Sequence, residues 1–122
     1  MEPLEKFGKF VIEAVRDKPI HQHLLTQQGH WKSPGIQELQ RLVTNLPPEQ
    51  KEIVLKAVTD AVDTALHYLL LGLQEAHDCG DGIEVFVDGK NVVELSGMLH
   101  GESVGDTGWI SKFSKFSSAR ES

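Results

Sequence analysis

Between Pro48 and Asp78 the chain reads PEQKEIVLKAVTDAVDTALHYLLLGLQEAHD, a stretch with no proline after the first residue and a single glycine, Gly72. Glu49 and Glu52 sit where a helix dipole is positive, so the segment predicts one long helix. Glu52, Lys56, Asp60, Asp63 and His67 step by three or four and line one side. Val54, Val58, Ala61, Val62, Ala65 and Leu69 occupy another. Beyond His67 the polar side continues through Leu70 and Leu71 and turns apolar. A helix apolar all round is covered, either by its own chain or by a partner. At about 1.5 Å per residue the helix reaches roughly 45 Å, whereas a domain of this size is only roughly 35 Å across. The helix therefore kinks, with Gly72 as the weak point, or projects into a dimer. In both cases Leu69, Leu70, Leu71 and Leu73 are expected under cover, and they are the primary candidates for an interaction surface.

The flanking segments read as shorter helices packed on this one. Pro3 to Arg16 carries Phe7, Phe10, Val11, Ala14 and Val15 at helical spacing, and Pro19 predicts a stop at Asp17 or Lys18. A short helix over 20–28 ends at Gly29. Ser33 and Pro34 begin another, with Ile36, Leu39, Leu42, Val43 and Leu46 as a narrow stripe that Pro47 terminates. After Gly82 the run IEVFV (83–87) reads as a strand bounded by Asp88-Gly89. The following KNVVELS fits either the return strand of a hairpin or a short helix with Asn91 as N-cap and Glu94 three residues on. The hairpin is favoured, because a lone strand leaves its backbone groups unpaired. A glycine-rich loop (97–108) leads to a closing helix, WISKFSKF, with Trp109, Phe113 and Phe116 on one face; Asp106 or Thr107 is its expected N-cap. Residues 117–122 read as a disordered tail. The expected fold is mainly α (α+β): a single-domain helical bundle around one long central helix, with a small β-hairpin and a C-terminal helix.

Composition narrows the function classes. A net charge of −6 on 122 residues argues against nucleic acid and anionic membranes as partners, since both are bound by clustered Lys and Arg. The lone Cys79 allows no internal disulfide, which fits a reducing compartment. The N-terminus lacks a signal peptide's basic start and apolar core. A cytoplasmic protein is the resulting expectation.

Several clusters compete as sites. AHDCGDG (76–82) gathers His77, Asp78, Cys79 and Asp81. Zinc requires four ligands, and no second His/Cys pair of matching spacing exists; a calcium loop fails at Gly80 and Gly89. A helix end followed by turns accounts for the stretch better. The rival reading is a small metal-binding protein or hydrolase using His77, Cys79, Asp81 and His100. His21 and His23 share a face only on a strand; on a helix they diverge by about 200°. The amide-rich loop around Trp31 has the composition of a recognition surface. Trp109 belongs to an aromatic and basic helix that fits the core or a docking site. GESVGDTG departs from a phosphate loop, because Glu102 and Asp106 repel phosphate. No serine lies in a G-x-S-x-G elbow.

At GMLHGESVGDTGWISKFSKF (97–116) the chain resembles the closing segment of small bacterial proteins of unknown function. The resemblance implies a bacterial cytoplasmic protein and carries over no activity, cofactor or catalytic residue. Many small acidic proteins of that kind act by binding another protein, for instance as immunity partners of toxins, an analogy at fold level only. The function expected from the whole is a non-catalytic interaction or regulatory module, a homodimer through the apolar half of the long helix, with no cofactor.

Overall fold

The computed structural model describes residues 1–116. It is mainly helical, in the order α1 (Pro3–Phe10), a π-helical segment (Val11–Asp17), α2 (Lys18–Gln27), a 3-10 turn (Pro34–Ile36), α3 (Gln37–Thr44) and α4 (Pro48–Asp78). Then follow β1 (Phe86–Val87), β2 (Lys90–Asn91), α5 (Val92–Ser96), a second 3-10 turn (Leu99–Gly101) and α6 (Trp109–Phe113). The expected long central helix, hairpin and C-terminal helix are all present. The tail expected over 117–122 lies outside the described residues.

The first departure from expectation is that the chain does not break at Pro19. Residues 3–27 form one continuous helical rod, and Lys18 keeps helical angles, φ −62° and ψ −48°, although proline follows it. The π segment is the reason. Its wider turn displaces the carbonyls against which a proline ring would clash in a regular helix. The same widening changes which residues face inward. The buried series runs Phe7, Val11, Ile12, Arg16, Asp17, Ile20; on a regular helix Arg16 and Ile20 would lie about 180° from Phe7 and Val11, an angle that the wider π turn reduces. Ala14 and Val15, expected in the stripe, give way to Arg16 and Asp17, and Phe10 turns to solvent.

The main core lies between α1, the π segment and the C-terminal half of α4, closed by α5, the second 3-10 turn and α6. Phe7, Ile12, Leu66, Leu70, Val92, Leu99 and Trp109 are among its members. Gly8 is where α1 and α6 touch: a Cβ there would overlap the Trp109 indole, whose ring also meets Phe7 edge-on at 5.9 Å. A thinner second layer packs α2 against α4, where Gln27 donates to the Lys51 carbonyl at 3.0 Å, and sets α3 on α2. In it α3 buries Gln40 and Val43, leaving Leu39 and Leu42 exposed. The cause is an anchor. The Gln40 amide accepts from the Trp31 N–H at 2.9 Å and donates to the Trp31 carbonyl at 3.0 Å, fixing the rotation of α3.

After α4 both readings of residues 86–96 hold in part. Phe86↔Asn91 and Val87↔Lys90 pair antiparallel around Asp88-Gly89, whose φ values of 50° and 77° suit a tight hairpin turn. Asn91 then caps α5, its side chain accepting from the N–H groups of Val93 (2.9 Å) and Glu94 (3.3 Å). The strand is two residues long, shorter than the expected 83–87. α6 begins after Gly108, instead of Asp106 or Thr107, because Gly108 is pressed against the Val104 backbone where a side chain would not fit.

Candidate functional site

α4 is uninterrupted through Gly72 and unusually polar on its inner side. Facing the rest of the molecule are Thr59, Asp63, Leu66, Leu70 and Gln74. This inner face is rotated by roughly 130° from the apolar side expected of the sequence, counting 100° per residue. The outer face in consequence shows Ile53 (66% exposed), Ala57, Ala61, Ala65, Tyr68 (63%), Leu69 (43%) and Gly72 to solvent. No charged side chain lies on the helix line between Gln50 and Glu75 that runs through Ala57, Ala61, Thr64 and Tyr68. The leucine run is divided: Leu70 is fully buried, Leu71 and Leu73 half-buried, and Leu69 exposed. The segment is thus covered on one side by its own chain and left open on the other.

What turns α4 this way is an ionic centre that helical periodicity in the sequence did not reveal. Arg16, 0% exposed, points from the π segment toward α4. Its Nε donates to Asp63 Oδ1 at 2.6 Å and its Nη2 to Oδ2 at 3.4 Å. Its Nη1 donates to Ser114 Oγ (2.6 Å), the Phe116 carbonyl (2.9 Å) and Asp17 Oδ1 (3.3 Å). Asp17 in turn accepts from Ser114 Oγ at 2.7 Å and the Lys115 N–H at 2.9 Å. A buried guanidinium requires compensation of this kind. The centre ties the π segment, α4 and the chain after α6 together, and it ends α6 at Phe113. Phe116 then stacks on His21 at 6.5 Å beside a cavity of about 410 Å³ lined by Glu13, Asp17, Lys18, His21, Lys115 and Phe116. Each of these hydrogen bonds runs from the guanidinium, Ser114 or Lys115 to a protein acceptor, which marks a clamp.

The AHDCGDG stretch is the end of α4. Gly80 takes φ 69°, its N–H donates to the His77 carbonyl at 3.2 Å, and the Asp81 N–H donates to the Ala76 carbonyl at 2.9 Å. Together these form a glycine-capped helix terminus. Cys79 and Asp81 are exposed. His77 turns to Glu84, its Nδ1 lying 2.9 Å from both carboxylate oxygens, and Asn91 Nδ2 donates to Glu84 Oε2 at 2.7 Å. The hydrogen bond to Glu84 raises the His77 pKa above its usual value, and Glu94 and Asp78 add to it. Asn91 first, then His77, hold the Glu84 carboxyl below the usual range. The group joins the end of α4 to the hairpin and to the cap of α5.

His100 does not join it. It lies in the second 3-10 turn with its ring 5.9 Å from His67, edge to face, and its Nδ1 has no hydrogen-bond partner among the described residues. His67 is ten residues from His77 along α4, about 15 Å. Among the described residues no group of three or more His, Cys, Asp and Glu is placed to hold a metal. His23 is likewise occupied, 2.8 Å from the Gln27 amide, with burial lowering its pKa. Trp31 is half-buried, and its indole N–H donates to Thr26 Oγ1 at 3.0 Å, so this loop is a hydrogen-bonded joint between α2 and α3. Trp109 is in the core. A second cavity, about 310 Å³, is lined by Asp63, Thr64, His67, Tyr68, Ser103, Val104 and Ile110, and it opens at the edge of the outer face of α4.

Among the described residues no helix is long and apolar enough to cross a membrane. The chain matches no known protein family, no curated protein and no solved structure.

Proposed function

We propose that the protein is a non-catalytic protein-interaction module whose docking surface is the outer face of α4. One observation carries this reading: the helix turns Thr59, Asp63 and Gln74 inward while it holds Ile53, Ala61, Tyr68 and Leu69 out to water. Exposed apolar residues scattered singly are ordinary. A contiguous, uncharged strip of them on one rigid helix is the signature of a surface that meets another chain. Two features beside it extend the strip: Val104, 63% exposed, and the shallow cavity it shares with Tyr68. The polar clusters support the same reading, because Arg16, Asp17, Asp63, His77 and Glu84 are engaged with one another across elements and hold the fold.

Photo-cross-linking in the producing cells tests the role. With a benzophenone amino acid at Ala61 or Tyr68, one or a few discrete adducts are expected; the exposed control position Glu38 on α3 gives none. Equal labelling from all three positions, or none from α4, refutes the docking role.

A further inference from the structure

Resting on that docking role, we infer that the occupant of the outer face of α4 is a second copy of this chain, lying antiparallel, with the twofold axis passing between residues 62 and 63. The face is complementary to itself in that arrangement in both bulk and polarity. Counting from the axis, Ile53 lies opposite Gly72 of the second copy, Ala57 opposite Tyr68, and Ala61 opposite Thr64. Each large side chain meets a small one, the condition for close packing of two helices. In a parallel pair Tyr68 would meet Tyr68 and Ile53 would meet Ile53, with a gap between them at Ala57 and Ala61, and Glu75 would meet Glu75.

The flanks of the strip agree. One edge carries Lys56, Asp60 and His67; the other carries Val54, Ala65 and Leu69. An antiparallel twofold brings each edge against its own counterpart, polar to polar and apolar to apolar, and sets Asp60 near the partner's His67 on both sides of the axis. A parallel twofold would press the charged edge onto the apolar one, which costs desolvation without compensation. Antiparallel helix dipoles also attract where parallel ones repel.

The strip from Ile53 to Gly72 is about 28 Å long and about one helix wide. Two copies bury on the order of 1,000 Å², the lower end of specific interfaces, which fits a reversible dimer with a micromolar dissociation constant.

The test uses the full chain with Cys79→Ser to remove the native thiol. Ile53→Cys and Gly72→Cys each add a thiol at an exposed position, and a Cβ at Gly72 meets nothing within 4 Å. With a short bismaleimide, a mixture of the two proteins is expected to yield the covalent heterodimer, and each alone little of it. Sedimentation from about 1 to about 200 µM is expected to show a monomer–dimer equilibrium that Ala61→Glu weakens at least about tenfold, with unchanged circular dichroism. Cross-linking of Ile53→Cys with itself, equal to the mixture, overturns the antiparallel arrangement while leaving self-association intact. A wild-type protein that stays monomeric throughout overturns the second copy as occupant. In that event the docking role is decided by the photo-adducts alone, whose mass then differs from twice that of the chain.

Discussion

Replacing Asp63 by alanine strikes the joint on which the orientation of α4 depends. The substitution removes the 2.6 Å and 3.4 Å hydrogen bonds to Arg16 and leaves the guanidinium in place, fully buried. Breaking one side of a buried ion pair costs about 3–5 kcal/mol. Here Asp17, at 3.3 Å, still offsets part of the charge, and Ser114 and Phe116 still accept from Nη1. The low end therefore applies, about 3 kcal/mol, which corresponds to roughly 12 °C in Tm for a domain of this size. Urea unfolding followed by tryptophan fluorescence measures it, with the midpoint falling and the slope m unchanged. The double variant Arg16→Met with Asp63→Leu provides the discriminating comparison. It removes both charges and fills similar volume, so it is expected to regain at least about 1.5 kcal/mol relative to Asp63→Ala, since apolar replacements of buried pairs are often neutral. Asp17 keeps its bonds to Ser114 and the Lys115 N–H in that variant. If Asp63→Ala costs less than about 1 kcal/mol, or if the double variant is destabilised by the sum of the singles, the ion pair does not hold α4 and the reasoning fails.

Two further outcomes test the packing and the His77 group. Gly8→Ala drives a methyl into the Trp109 ring, and overpacking of this kind costs about 1–3 kcal/mol; a melting curve indistinguishable from wild type would mean that α1 and α6 do not touch as described. Glu84→Gln is expected to bring the raised His77 pKa back toward 6.5, read from the imidazole resonances in an NMR titration. The sign of the linkage follows from the two directions. His77 contributes stability that is complete below its unfolded value of 6.5 and is lost as pH rises through its higher folded value. Glu84 contributes stability present above its unfolded 4.5 and lost as pH falls through its lower folded value. An unchanged His77 titration in the variant would exclude the pairing.

The elements legible in the sequence were those with strong local signals. They include the long helix from Pro48, the Asp88-Gly89 turn, the Asn91 cap and the glycine cap that ends α4 in AHDCGDG. The faces were less legible, because period counting assumes 3.6 residues per turn throughout. The π segment violates that assumption over Val11–Asp17, where Arg16 and Asp17 are buried and Val15 of the expected stripe is exposed. Arg16 and Asp17, read as the charged end of a helix, become buried. Leu39 and Leu42 belong to the apolar stripe of α3 yet face solvent, because the polar anchor from Gln40 to the Trp31 backbone outweighs their spacing.

A physical chain runs from that one irregularity to the surface on which the proposed function rests. The wider turn of the π segment in the first rod turns Arg16 toward α4. A guanidinium with no exposure to water needs a carboxylate, and Asp63 on α4 supplies one. Bringing Asp63 inward fixes the rotation of a rigid helix, and Ala61 and Asp63 lie about 160° apart on it. The residues near Ala61 are thereby carried to the outside together. Rotating α4 to bury Ile53, Ala57 and Ala61 would gain apolar contact at about 25 cal/mol per Å², but it would leave Arg16 without its main partner at a cost of about 3–5 kcal/mol. Small alanine side chains offer too little area to win that exchange within one chain. Covered by a second copy they cost no ion pair at all, which is why the same residues that are poor candidates for the core of the monomer are good candidates for an interface.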